Sequence, residues 1–480
     1  MGTPGTRQLV DVAVDAGQIA GPLEAWRQGL GHGGINALPL PDRVVRGVAA
    51  LRPRLVRIFI QEFLRVYPEH GRFDWTRLDP YMAALEATGA QVMAALCIKP
   101  PPLYPRVDHR LWRPADVGEW QQVVAALVRR YSVERRLVTH WEVGNEVDIG
   151  ESGGSPYLIT DGREYGEYYA LTTQAVLGAC PQARVGGPAA AHVHSPVVAG
   201  FLEHCAQRGT RVDFLSYHLY HSDPALHLEH LRAARALVER VGLPAVELMV
   251  TEWNRRLFDG ISVADDAADP RRAAAVAATV MRLVEAGLHG SFYYHVWDQT
   301  CYAADFRPFF SDEGLANMLR HWNEVPHRLG LFGVGGEVRP QYFVYWMLSR
   351  LGSERLAAHS GHGDLTVLAA RQGGTVSIML ANYGLERPAD RVAVLQLSGL
   401  QPGVRRLAVW RLDAARRWDE EARTPDGAPR AAAAGQPVAL AGPPVLRPVE
   451  QREVDTADSF SCQVLLPADA VALVRLEPVR

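Results

Sequence analysis

The stretch Thr139-His140-Trp141-Glu142-Val143-Gly144-Asn145-Glu146 carries the fold in miniature. An apolar run ends at a glycine and hands over to an Asn-Glu pair, as where a buried strand gives way to a loop. Outward from it, similar short apolar runs recur at 55–60, 91–98, 183–187, 212–218, 246–251 and 291–297, with a weaker one at 27–31. Segments of helical period separate them. In one, 78–88, Leu78, Met82 and Leu85 fall on a single face. Another, 270–286, has Asp269 as its N-cap, Pro270 at the first helical position and Gly287 just past the end. Strands alternating with helices give a parallel sheet, and eight such units favour a closed (β/α)₈ TIM barrel over an open doubly wound sheet.

Past Trp297 the pattern changes. A long irregular region, 298–340, leads to one apolar helix at 341–351. Short strand-like runs follow at 365–370, 375–380, 392–397, 406–411 and 471–476, divided by turns such as Pro425-Asp426-Gly427. The reading is an α/β chain in two parts: a catalytic barrel over 16–352 and a C-terminal β-sandwich over 353–480. An N-terminal strand at 8–15 is available to join the sandwich. The Ala/Gly/Pro-rich stretch 428–448 reads as a long surface loop.

Composition narrows the function. A net charge of −3 gives no electrostatic footprint for nucleic acid or an anionic membrane. No apolar run is long enough to cross a bilayer, and residues 1–20 show no secretory signal. The five cysteines are widely spaced with no CxxC pair, so neither a zinc site nor a disulfide framework is expected. A cytoplasmic protein follows, or a secreted one whose signal peptide has been removed. The segment Gly29-Leu30-Gly31-His32-Gly33-Gly34 fits GxGxxG in letters only: no acidic residue follows at the distance a dinucleotide site needs. It reads as a barrel-mouth loop, with His32 lining the pocket. Neither the pair His218/His221 nor the pair His192/His194 has a metal-site context, so no metal and no cofactor are expected.

Chemistry enters with a second stretch, Glu247-Leu248-Met249-Val250-Thr251-Glu252-Trp253-Asn254. Active sites of such barrels lie at the carboxyl ends of the strands. Glu146 ends the fourth strand and Glu252 the seventh, so the two carboxyls can face each other across the barrel mouth. Cleaving a glycosidic bond with retention needs two such groups about 5–5.5 Å apart, one protonated and one ionised. Glu142 is the rival to Glu146. With the same strand parity but deeper, it would be buried and need a basic partner, and it reads as structural.

Several segments resemble glycoside hydrolase family 39, the β-xylosidase and α-L-iduronidase family of clan A. They are Trp141-Glu142-Val143-Gly144-Asn145-Glu146, Val185-Gly186-Gly187-Pro188, Leu215-Ser216-Tyr217-His218-Leu219-Tyr220 and Val250-Thr251-Glu252-Trp253-Asn254, followed by Gly330-Leu331-Phe332 through Arg339-Pro340-Gln341-Tyr342. Gly144 stands where many members have Trp, and Val147 where many have Pro. The resemblance implies an exo-acting, β-xylosidase-like retaining glycosidase acting on an oligosaccharide or glycoside. Glu146 would be the acid/base and Glu252 the nucleophile. Asn145 would bind the sugar 2-hydroxyl; His218 and Tyr220 would form the pocket floor or position Glu252. Trp297 would stack on a sugar face, and Arg57 would sit beneath the nucleophile and keep it ionised. Competing readings are a satisfied core histidine for His218, an ordinary buried tryptophan for Trp297 and a structural ion pair for Arg57. Rival functions are an α-L-arabinofuranosidase, a β-glucuronidase and a non-catalytic carbohydrate-binding protein. The glycone depends on loops 100–114, 148–160 and 298–327, which periodicity does not fold, and oligomeric state is open.

Overall fold

The computed structural model describes residues 7–24, 28–256, 269–325, 328–414 and 444–479. Its first strand, β1 (Gln8–Pro22), belongs to a second sheet outside the barrel. The next eight are β2 (Gln28–Gly31), β3 (Leu55–Ile60), β4 (Gln91–Leu96), β5 (Val138–Val143), β6 (Arg184–Ala190), β7 (Phe214–Tyr220), β8 (Glu247–Asn254) and β9 (Gly290–Tyr294). They pair side by side and in parallel, and β9 closes on β2. Their apolar runs have the cause proposed from sequence: β3 and β9 are buried at every position, because helices cover one face and the barrel interior the other.

Inside the barrel the side chains stack in layers. Leu55, Met93, Phe214, Met249 and Phe292 form an apolar plug near the strand starts. Two residues further along, β3 and β5 offer Arg57 and Glu142, both fully buried. Phe59, Cys97 and Tyr294 with Leu329 form a cluster above. The polar middle layer therefore has an apolar floor.

One local irregularity sets the direction of an acidic side chain. Tyr217 of β7 pairs with Val250 of β8, but the next residue, His218, pairs with Glu252. Thr251 is the extra residue of a β-bulge, which re-aims every side chain after it. Met249 points into the barrel plug and Val250 packs outward on the helices. Strict alternation would then send Glu252 outward. The bulge turns it inward and sends Trp253 to the helix layer, where it meets His227 and Tyr293.

The second sheet holds nine strands in the order β15-β14-β17-β12-β11-β10-β1-β13-β16. Besides β1 these are β10 (Glu354–Ser360), β11 (Leu365–Gln372), β12 (Thr375–Asn382), β13 (Arg391–Ser398), β14 (Gly403–Leu412), β15 (Glu450–Thr456), β16 (Phe460–Leu466) and β17 (Val471–Pro478). Strands far apart in that order share one core, with Leu395 and Val464 from one flank meeting Ile378, Leu407 and Val474 from the other. The sandwich is one sheet curled over itself. The five expected runs lie in β11, β12, β13, β14 and β17. The two edges are β15 and β16; β15 carries four charged residues among its seven, and charge is what keeps an edge strand from recruiting another. The 425–427 turn and most of the 428–448 stretch, to residue 443, lie outside the described residues.

The sheet packs on the barrel through apolar and charged contacts. Trp346, on the helix Pro340–Leu348, meets Trp410 at 6.1 Å between ring centroids. Arg271, in the first turn of Pro270–Glu285, bonds Asp469 at 2.8 Å. That helix is capped by Asp269, as expected. The five cysteines are all unpaired, and among the described residues no helix is long and apolar enough to cross a membrane. Truncating the barrel plug by Phe292→Ala is expected to cost about 3–5 kcal/mol, read as a lower urea midpoint at unchanged slope.

Candidate active site

Above the polar layer, at the carboxyl ends of the strands, lies a cavity of about 390 Å³. Glu146 and Glu252 both line it, and each is only 8% exposed. They arrive by different routes. Glu252 sits within β8 and faces inward because of the bulge at Thr251. Glu146 lies beyond the end of β5, so strand parity does not place it, contrary to the expectation that it shares a strand with Glu142. Gly144 at φ +84° and Glu146 itself at φ +42° turn the chain sharply. Non-glycine residues avoid that left-handed region, at a cost on the order of 1–3 kcal/mol, and such strain gathers at functional positions. The turn is held by Glu146 N–H donating to Ala189 O at 2.8 Å and Gly150 N–H donating to Glu146 O at 2.9 Å.

Arg57 lies beneath, with no exposure, and its guanidinium forks three ways. Nε donates to Glu142 Oε2 at 2.6 Å, Nη1 to Glu252 Oε2 at 3.1 Å and Nη2 to Asn145 Oδ1 at 2.7 Å. Tyr220 donates to the other oxygen of Glu252 at 2.5 Å. His218 Nδ1 lies 2.9 Å from Glu146 Oε1 and 4.0 Å from Glu252 Oε2. It thus bonds Glu146 and only flanks Glu252, the residue it was expected to position. His218 Nε2 is buried without a partner, so we assign the proton to Nδ1, which makes the ring a donor to Glu146.

The two carboxyls have unlike surroundings. Burial pushes Glu146 up to about 8; nearby Asp148 adds to this and Arg57 opposes it. Burial also raises Glu252, and there His218, Arg57 and the Tyr220 hydroxyl oppose it while Glu146 adds. Burial drives His218 down to about 4, so at neutral pH the ring is a hydrogen-bond donor and not a cation. Arg57 and Tyr220 are then what favour an ionised Glu252.

An oxygen of each carboxyl and a nitrogen of His218 lie within 4.8 Å of one another. Such a trio has the spacing of a three-ligand metal site. The charge a cation would supply is already present as Arg57, bonded to Glu252.

Other expected residues fall differently. Asn145 and Tyr220 line the cavity; Arg57 and His218 stand behind its wall. His32 and Trp297 do not reach it. Chain direction changes after β9, so Trp297 packs beside His32 at 6.3 Å with its Nε1 on Val334 O, and His32 is enclosed by Tyr81, His295 and Trp297. The aromatic walls are instead Phe59, Tyr294 and Trp322. Inward alternation from Phe292 points to Tyr294 on β9. Nothing local signals Trp322, which a π-helical turn, Arg320–Glu324, presents from the 298–327 loop.

Two of the three loops of unassigned shape, 148–160 and 298–327, line the cavity, and all three are tied together. Lys99, the single lysine, donates to Asp108 O at 2.6 Å and Pro156 O at 3.0 Å. Glu151 accepts from Ser311 N–H at 2.8 Å and also from the Ser311 hydroxyl.

Raising a carboxyl's pKa on folding means the folded chain holds that proton more tightly. The stabilisation is complete below the ordinary value of 4.5 and is lost as pH climbs through about 8. Glu146→Gln removes this titration. The melting temperature of Glu146→Gln minus that of the parent should therefore grow steadily between those two pH values; a constant difference would mean that Glu146 titrates as an ordinary glutamate.

With this geometry established, the chain can be set beside known proteins. The model of glycosyl hydrolases family 39 matches residues 72–414. A β-xylosidase of Geobacillus stearothermophilus is 24% identical over 306 residues, covering 59% of this chain and 55% of that protein. The chain spans about half the length of the curated relatives it matches. Among solved structures, a monomeric β-xylosidase from Caulobacter crescentus CB15 superposes with a TM-score of 0.73 at 21% identity, over 98% of this chain and 100% of the other. A glucosidase from Croceicoccus marinus gives 0.72 at 19% identity, over 99% and 100%. At these identities the superpositions speak for the fold.

Proposed function

The chain belongs to family 39 of the glycosyl hydrolases, and we propose that it is a retaining, exo-acting glycosidase of the β-xylosidase type. The observation that carries this is the approach of Glu146 and Glu252 oxygens to within 4.8 Å across one cavity. That suits the roughly 5–5.5 Å of a double displacement and not the wider roughly 6.5–9.5 Å gap that holds a water in inverting enzymes.

The roles follow from the surroundings. Glu146, protonated at neutral pH, gives its proton to the departing oxygen. Glu252, held by Arg57 and Tyr220, attacks the anomeric carbon and forms the glycosyl-enzyme. Esterification removes one negative charge from beside Glu146, which then ionises more readily and takes a proton from the incoming water. Asn145 spends its oxygen on Arg57 and one N–H on Gly153 O, leaving its second N–H for a sugar hydroxyl.

A neutral glycone fits better than a uronic acid. No lysine or arginine is among the described residues lining the cavity, and a sugar carboxylate there would face two acids. This favours the xylosidase reading over the β-glucuronidase alternative. The tied loops around the rim favour release of terminal units.

In a panel of chromogenic glycosides, a neutral β-glycoside such as the xyloside should be cleaved with retention, and the matching glucuronide ignored. Release from no sugar would leave only the carbohydrate-binding alternative. Glu252→Gln should abolish turnover of every substrate. Glu146→Gln should lose roughly 10²–10⁴-fold on poor leaving groups and keep most activity on activated aryl glycosides. It should also erase the alkaline fall of kcat/KM near pH 8. If Glu142→Gln gives that pattern instead, the acid/base is misassigned.

A further inference from the structure

Glu146 gives up its proton from one particular oxygen. Oε1 accepts from His218 Nδ1 at 2.9 Å, so in the neutral carboxyl the proton belongs on Oε2. His218 supplies the one hydrogen bond to this carboxyl among the described residues, so packing decides where Oε2 lies. What it packs against is Gly153. The three atoms nearest to a Cβ built there all belong to Glu146: its Cβ at 2.7 Å, its carboxyl carbon at 2.9 Å and, closer still, Oε2. Gly150 and Gly154 of the same turn sit at φ +60° and +75°, a region that favours glycine on backbone grounds. Gly153 has no such φ, so its backbone would accept alanine, and what an added side chain meets first is Glu146.

The turn is held where it is. Asn145 Nδ2 donates to Gly153 O at 3.3 Å, and Gln61 Nε2, directly after β3, donates to Gly154 O at 3.0 Å. The N–H groups of Ile149 and Gly150 both return to Glu146 O, at 3.1 and 2.9 Å. An added methyl group would therefore displace the Glu146 side chain and not the backbone behind it. We infer that Gly153 is a positioning residue for the proton donor: its bare Cα is the backrest that aims Oε2 of Glu146 at the departing oxygen. This rests on the glycosidase reading and adds a residue that acts only through Glu146.

The test is Gly153→Ala, assayed on alkyl and 2,4-dinitrophenyl glycosides of whichever sugar the panel identifies. An alkoxide needs the proton in order to leave, whereas a dinitrophenolate does not. With Oε2 displaced, kcat/KM on the alkyl glycoside should fall roughly tenfold or more, out of the ~10²–10⁴-fold that a general acid supplies, and on the dinitrophenyl glycoside less than about threefold. The alkaline limb of kcat/KM, which Glu146 sets near pH 8, should move to lower pH, because a carboxyl pushed toward the open cavity is better hydrated. Glu146→Gly removes the whole colliding side chain at a backbone position, φ +42°, that suits glycine. In that background, adding Gly153→Ala should change the remaining dinitrophenyl activity less than about twofold and leave the melting temperature in place. No loss, equal losses on both glycosides, or a melting temperature lowered as much with the Glu146 side chain absent as with it present overturns the positioning role. Those results leave the glycosidase intact. A parent protein that cleaves no activated aryl glycoside overturns the glycosidase reading instead, so the two failures look different.

Discussion

A single guanidinium governs the charge of this site. Arg57 is fully enclosed and is bonded to Glu142, Glu252 and the Asn145 amide. A buried ion is tolerable only when paired and fully hydrogen-bonded, and Arg57 has partners on all three nitrogens. Three buried carboxyls stand near this one cation, and the adjacent His218 is neutral at ordinary pH. Glu142 pairs with Arg57 at 2.6 Å, and Glu252 shares the same fork. Glu146 takes no bond from the guanidinium and is the one pushed up to about 8. The proton therefore settles on the carboxyl that the guanidinium does not hold, and an acid and a base separate without any difference in residue type.

The rim obeys a similar rule with a different charge. Lys99 spends its ammonium on two backbone carbonyls from separate loops, above the rings of Tyr104 and Tyr157. Glu151 then ties the second loop to the third. Long excursions from the barrel cost entropy to order, and a few charged hydrogen bonds between them offset that cost. The loops that line the cavity are thus held by Lys99 and Glu151, neither of which lines it.

These two arrangements explain which features were readable from the residues and which were not. The barrel was legible because burial on both faces writes a continuous apolar run, and β3, β4, β8 and β9 carry one. The acidic pair was legible because each member stands near the end of a strand, Glu252 within β8 and Glu146 just past β5. The site's lateral walls were not. The position of Trp297 after β9 leaves a stacking surface and an ordinary buried tryptophan both open; the chain has already turned away there, and Trp297 packs beside His32 behind the wall. Trp322 reaches the cavity from a loop whose course depends on Glu151 and Asn323, contacts with no local pattern. Edge strand β15 is illegible for the opposite reason: most of it faces water, so its polar residues leave no apolar signal.

Even the legible residues reach their places through departures from regular geometry. Period-two alternation from Met249 sends Glu252 to the helix side, and only the inserted Thr251 brings it back. Helix or strand geometry alone does not deliver Glu146 either, since its backbone sits at φ +42° past the end of β5. Both irregularities cost stability, the bulge by leaving the Thr251 hydroxyl buried without a partner. A regular barrel would be cheaper and would hold the carboxyls in fixed, outward or sideways directions. The two defects are what convert a stable scaffold into a pair of acids aimed at one point, and the Arg57 fork is what makes the resulting concentration of charge tolerable. Removing either defect should therefore stabilise the barrel while dispersing the site, the opposite of what removing a core residue does.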